Sequence, residues 1–308
     1  MWSEICEQNL WDEKNLVFTQ NRFPYAFAMP KKMDVTDFRA VRTVLEASDF
    51  ADAPGPAERP VRDLIEEAAW DDIQTLPETV SVFTSSDHGT ELSMLSDLWG
   101  CWVQALRTED VLLSKSAVHR ACLVATDEFQ AATFNALHGF YRVVADSLRT
   151  AVEQMTIATN LELRGDDAES QSWLDGNRQF FFGQSCDSLQ NRFPTTRLRR
   201  LFQQEDGEND EGWTRAFHRA LSDYSHGRPG FDALRMWDGS NGPIYVESAF
   251  LWSVKMWLFA YATCVILLKL TRPDLPEIGD IFAQPHVVNI SVLRKASEVL
   301  WSEPPPTT

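Results

Sequence analysis

The sequence has little of what marks the familiar catalytic and secreted classes. Its five cysteines, Cys6, Cys101, Cys122, Cys186 and Cys264, form no CxxC pair and have no histidine at zinc-ligand spacing. That argues against a disulfide framework and a finger-type zinc site, and predicts the reduced thiols of a cytosolic protein. There is no P-loop, GxGxxG, HExxH or GxSxG, so nucleotide, dinucleotide, zinc-protease and serine-hydrolase chemistry lose their usual signals and no cofactor or metal is expected. The opening Met-Trp-Ser-Glu-Ile-Cys-Glu has no basic or apolar stretch of the kind a secretory signal needs, so export is not expected. Long hydrophobic runs are absent as well. The longest, Met256 to Leu268, is 13 residues between Lys255 and Lys269, where a membrane span needs about 20. A buried core helix is therefore expected, with no membrane partner.

Basic residues are scarce: 28 Lys and Arg face 45 Asp and Glu, for a formal charge of -17. Such a surface repels polyanions at long range and argues against a general, high-affinity nucleic-acid binder. Over half of the excess lies in residues 1–87, with 17 acidic and 8 basic side chains. Among 308 residues, 44% hydrophobic and 24% charged is an ordinary globular balance, enough for a core without staples.

The pattern along the chain predicts a mainly α protein, a helical bundle with a smaller acidic N-terminal region of short elements. Residues 1–88 form that region, cut by Pro24, Pro30, Pro54, Pro56 and Pro60, with helices over Asp34 to Ala47 and Pro60 to Trp70 and a linker at Ala51 to Arg59. A break at Ser85 to Gly89 then opens the helical domain, 89–308. Leu92, Leu95, Leu98, Trp99, Trp102 and Leu106 make a helical stripe. Ser114 to Leu163 contains no proline, but a single helix of that length would be unusual, so a break is placed around Thr133 to Gly139. Tyr141, Ala145, Leu148, Val152, Met155 and Thr159 then line one inward side. Short helices follow around Trp173 and over Phe180 to Leu189. The acidic run Gln203 to Gly212 reads as a solvated loop. A helix from Trp213 to about Ser225 ends at His226-Gly227. Another runs from Pro243 to Lys269, apolar nearly all round and so central. A last one covers Val288 to Trp301.

Chemistry is concentrated in His218-Arg-Ala-Leu-Ser-Asp-Tyr-Ser-His-Gly227. Arg219 and His226 are seven residues apart, two helical turns less about 20°, so both face one way. Such a pair suits metal-free cleavage of RNA. A guanidinium grips phosphate with forked donors, an imidazole moves a proton near neutral pH, and the RNA's own 2′-hydroxyl attacks.

In these residues the chain resembles the HEPN superfamily of helical-bundle proteins, many of them ribonucleases of toxin and phage-defence systems. Arg219, six intervening residues and His226 match the family's Arg, four to six residues, His pattern. Ser147 to Glu153, with Arg149 and Glu153, is similar to the upstream Arg-to-Glu helix of related bacterial proteins, and Tyr224-Ser-His-Gly to a recurring helix ending. The resemblance covers roughly 131–271. It implies a cytoplasmic homodimer in which paired Arg and His residues line one cleft, with Arg149, Glu153 and Tyr224 in support. Active members carry a polar residue after the Arg, whereas this chain has Ala220.

Blander accounts exist for each feature. Arg149 and Glu153 are also an i,i+4 pair that stabilises a helix, and His-Gly is a common helix ending. Arg197, Arg199 and Arg200 form the most basic patch, a candidate for RNA contact or simply a solvated face. The alternative to a nuclease is a non-catalytic helical sensor or scaffold subunit of a defence complex, with a partner protein in place of RNA. His88, His119, His138 and His286 are expected to be ordinary residues, and the tryptophans core packing.

Overall fold

The computed structural model describes residues 67–107, 116–193, 196–203, 212–225 and 245–302, and every regular element among them is helical. Two compact units result, Met1–Asp87 with Gly239–Tyr245, and His88–Asp238 with Val246–Thr308. The helix expected over Asp34 to Ala47, the linker at Ala51 to Arg59, residues 60–66 of the helix expected over Pro60 to Trp70 and the His226-Gly227 helix ending lie outside the described residues.

Helix α1, Glu67–Arg107, carries Pro77 within it and is interrupted only at His88, whose backbone is non-helical (φ -123, ψ 31). The break expected at Ser85 to Gly89 is thus a kink, not a loop. Just before the kink, Thr84 donates to the Val80 carbonyl at 2.9 Å and Ser85 to that of Ser81 at 2.7 Å. Both side chains bond back into the helix instead of capping a turn. In the first unit, the Tyr245 hydroxyl donates to Asp87 at 3.0 Å.

In the second unit, α2 (Ala117–Leu137) and α3 (Tyr141–Arg164) form an antiparallel pair split at residues 138–140, close to the predicted break. Gly139 takes φ 82 there, a conformation that costs glycine no Cβ clash. The α3 stripe from Tyr141 to Thr159 is buried as expected, and α3 packs against α2, α5 (Phe182–Arg192), α7 (Trp213–Ser225) and α8 (Glu247–Thr271). Between them lie α4 (Asp167–Leu174) and α6 (Thr196–Phe202).

Helix α8 is the central rod. Buried residues occupy all its sides, among them Trp257, Tyr261 and Ile266. Trp102, Phe129, Trp257 and Tyr261 pack ring to ring with centroids 5.0 to 5.9 Å apart. Their polar ends are matched: Trp257 donates to the Phe129 carbonyl at 3.2 Å, Tyr261 to that of Leu98 at 2.8 Å, and Trp102 to the Thr126 hydroxyl at 3.0 Å. By length and apolarity α8 could cross a membrane, but 83% of its most apolar window is buried inside the protein. At its C-terminal end Lys269 is buried too and donates to the carbonyls of Pro273 and Leu275.

The helix predicted over Val288 to Trp301 is α10, Ser291–Ser302, starting three residues later than expected, and a short α9, Pro285–Val288, precedes it. The Asn289 amide donates back to the Pro285 carbonyl at 3.0 Å, a local bond that competes with helix continuation.

Candidate functional site

The residues from Trp213 fold into α7, which starts where predicted and is helical to Ser225, the last described residue of the segment, and its strong amphipathicity sorts its side chains by direction. Thr214, Phe217, Leu221 and Tyr224 are buried. Trp213 and Phe217 meet Phe259 of α8, and the Tyr224 ring lies 4.0 Å from that of Trp252. Tyr224 is therefore a core contact, and burial pushes its phenol up from its ordinary range. It does not share a side with Arg219: five residues apart, they lie about 140° around the helix.

A second side carries His218, Ser222 and Ser225 at i, i+4 and i+7; His218 and Ser225 meet polar groups of α3, and the Ser222 hydroxyl donates back to the His218 carbonyl at 2.8 Å. His218 donates through Nε2 to Glu153 Oε2 at 3.3 Å, the tautomer fixed by the carboxylate, which can only accept. Its ring stacks on Phe182 of α5, centroids 4.0 Å apart and planes 17° apart. The hydrogen bond from His218, with the charges of His218 and Arg149, holds the Glu153 carboxyl below its ordinary value against the opposing effect of burial. Arg149 lies 3.9 Å from Glu153 and reaches the Ser225 hydroxyl at 3.5 Å. One further guanidinium arrives from α3, that of Arg142, which donates to the Ser225 carbonyl at 3.0 Å. Two cations thus converge on the C-terminal end of α7, where the helix dipole is negative.

The structure brings Arg149 and Glu153 to α7, 76 and 65 residues away in sequence from Ser225 and His218. Arg219 is exposed on a third side of α7. His226, directly after Ser225, lies outside the described residues, so the Arg219–His226 geometry is not described. Two members of the cluster were missed in the sequence. Arg142 stands seven residues before Arg149, on the same side of α3, and that spacing was a usable signal. His218 offered only its place beside Arg219.

Arg197, Arg199 and Arg200 are exposed on α6. Arg197 and Arg200 line a cavity of about 200 Å³ with Ser291, Val292 and Lys295 of α10, and Arg199 does not. Among the described residues no group of three or more His, Cys, Asp and Glu side chains is placed to hold a metal ion. Of the other histidines, His88 is buried and stacks on Phe250 at 4.6 Å. No protein-family model, curated protein or solved structure matches the chain.

Proposed function

We propose that the protein is a cytoplasmic, metal-independent endoribonuclease of the HEPN type, acting as a homodimer in a toxin or anti-phage defence system. The observation that supports this reading is the convergence of Arg142, Arg149 and the Glu153–His218 pair on the last two turns of α7. They anchor the helix that carries Arg219, and Ser225, the residue next to His226.

In the reaction, the 2′-oxygen of a ribose attacks the adjacent phosphorus. The phosphorus–2′-oxygen bond forms and the phosphorus–5′-oxygen bond breaks, leaving a 2′,3′-cyclic phosphate and a 5′-hydroxyl. Two copies of Arg219 and His226 in one cleft would divide the work. One imidazole takes the 2′-hydroxyl proton, the other gives a proton to the departing 5′-oxygen, and the guanidiniums stabilise the doubly charged phosphorane. Arg142 and Arg149 add positive potential beside that cleft and hold the helix end.

The test is cleavage of single-stranded RNA by purified protein in EDTA, with end-group analysis of the products. Cyclic phosphate ends, lost in Arg219→Ala and His226→Ala, are the expected result. RNA left intact by the parent, or cut equally by the variants, overturns the reading.

A second reading, a non-catalytic scaffold, is favoured by Ala220 at the position after Arg219 and by the outward Phe134, 58% exposed, with Leu123 and Val143 also exposed on α2 and α3. It predicts a stable complex with another protein and no change in RNA.

A further inference from the structure

A chain with a net charge of -17 gathers three cations around one concavity. Arg197 and Arg200 stand one turn apart on α6, and Lys295 faces them from α10 across a cavity of about 200 Å³. Both helices are fixed from beneath, α6 by buried Leu198 and Leu201 and α10 by buried Leu293 and Ala296, and they pack on each other. The cations are held close by the fold, not by their own attraction. Among the described residues none of the three has a carboxylate partner: the nearest acid on α10, Glu298, pairs with Arg294 at 3.7 Å. Three like charges around one hollow repel each other, and an anion seated between them relieves that repulsion.

The start of α10 adds donors. Ile290 accepts the first intrahelical bond, from Arg294 N at 3.0 Å, and its hydrocarbon side chain has no oxygen with which to cap the first-turn amides. The exposed Ser291 hydroxyl lies at the same mouth. The kind of anion follows from size and lining. The hollow is smaller than the roughly 300 to 1,000 Å³ of whole-ligand pockets, so it takes a charged group and not an entire nucleotide. Among the described residues that line it, Val292 is the one apolar wall and none is aromatic, so they offer nothing for a base to stack on. Guanidiniums one helical turn apart, about 5 to 6 Å between their Cβ atoms, suit phosphate oxygens on a strand more than a single small ion.

We infer that the α6–α10 groove is a phosphate-backbone site for an RNA strand, binding it without regard to sequence through Arg197, Arg200 and Lys295. The identity of the strand rests on the ribonuclease reading; the affinity for phosphate does not. Arg199, two positions from Arg197, contributes only to the general field.

The experiment uses the full chain carrying His226→Ala, so that RNA is bound and not consumed, and follows the fluorescence anisotropy of a labelled single-stranded RNA as KCl is raised. With Arg197→Ala, Arg200→Ala and Lys295→Ala combined, affinity should fall at least about tenfold, and the slope of log K against log salt should flatten by about 2, three contacts at about 0.7 each. Arg197→Lys with Arg200→Lys keeps the charges and should keep the slope. Unchanged affinity and slope in the triple alanine variant, or no binding by the parent, overturns the inference. Tripolyphosphate that binds as tightly as the RNA would reassign the groove to free oligophosphates and overturn the strand assignment. The two readings fail separately. Wild-type protein that leaves RNA whole but binds it through these three residues ends the nuclease reading and upholds the groove. Wild-type cleavage with an unchanged KM in the triple variant does the reverse.

Discussion

Replacing Glu153 and His218 singly and together tests whether the α3–α7 seam is held as the structure indicates. Their bond joins helices 65 residues apart at 3.3 Å, with side chains 30% and 18% exposed. A hydrogen bond to a charged group in a buried setting is worth about 1.5 to 3 kcal/mol, and an exposed ion pair about 0.2 to 1 kcal/mol. This half-buried pair should lie between, so the coupling in a Glu153→Gln, His218→Gln cycle is expected near 1 kcal/mol at neutral pH. The stacking of His218 on Phe182 is lost in both arms that change His218 and cancels in the cycle. Acidity sets the sign of the pH dependence. Glu153 is held below its ordinary 4.5, so its stabilising contribution is complete above that value and is lost as pH falls through the lower, folded value. Urea unfolding followed by tryptophan fluorescence, at neutral pH and at successively lower pH below 4.5, measures it. A coupling under about 0.3 kcal/mol at neutral pH, within the usual error of additivity, or one that does not decline in acid, would refute the reasoning.

Lys269→Met removes the donor shared by the carbonyls of Pro273 and Leu275 while keeping most of the side-chain volume. The buried Leu275 carbonyl left without this donor should cost about 1 to 3 kcal/mol, read as a lower urea midpoint, and a change under about 0.5 kcal/mol would show that the ammonium does not hold this end of α8. Arg219→Ala, by contrast, should alter stability by no more than about 0.5 kcal/mol, because exposed charges contribute little. A loss above about 1 kcal/mol in the same unfolding assay would make Arg219 structural and remove the anchor of the nuclease reading.

Local pattern carried the helices well where one side of an element is apolar and the chemistry of its ends is plain. The start of α7 and the buried stripe of α3 could be read directly, because burial at i, i+4 and i+7 leaves a period in the sequence. The continuity of α1 could not. Ser85, Ser86, Asp87, His88 and Gly89 are turn formers by type, and only the structure reveals that Ser85 bonds back to the Ser81 carbonyl within a continuing helix instead of capping a turn. The candidate site was half legible. Arg149 and Glu153 stood out as an i,i+4 pair, but their use by α7 depends on α3 and α7 lying side by side, which no local spacing records. For the same reason Lys295, 95 positions from Arg200, was invisible as a member of the basic patch.

Helix α7 shows how one short element can serve three environments without compromise among them. Thirteen residues make more than three turns, so each side repeats often enough to be bonded in its own way. Phe217, Leu221 and Tyr224 fix the helix to α8 and its neighbours, and His218 and Ser225 fix it to α3. With rotation about its axis thus opposed from two directions, the direction of the third side is determined. Arg219 is exposed on that side, placed there by the residues held at positions 217, 218 and 221. On the ribonuclease reading, a partner cation or proton carrier for Arg219 is to be sought on that same exposed side.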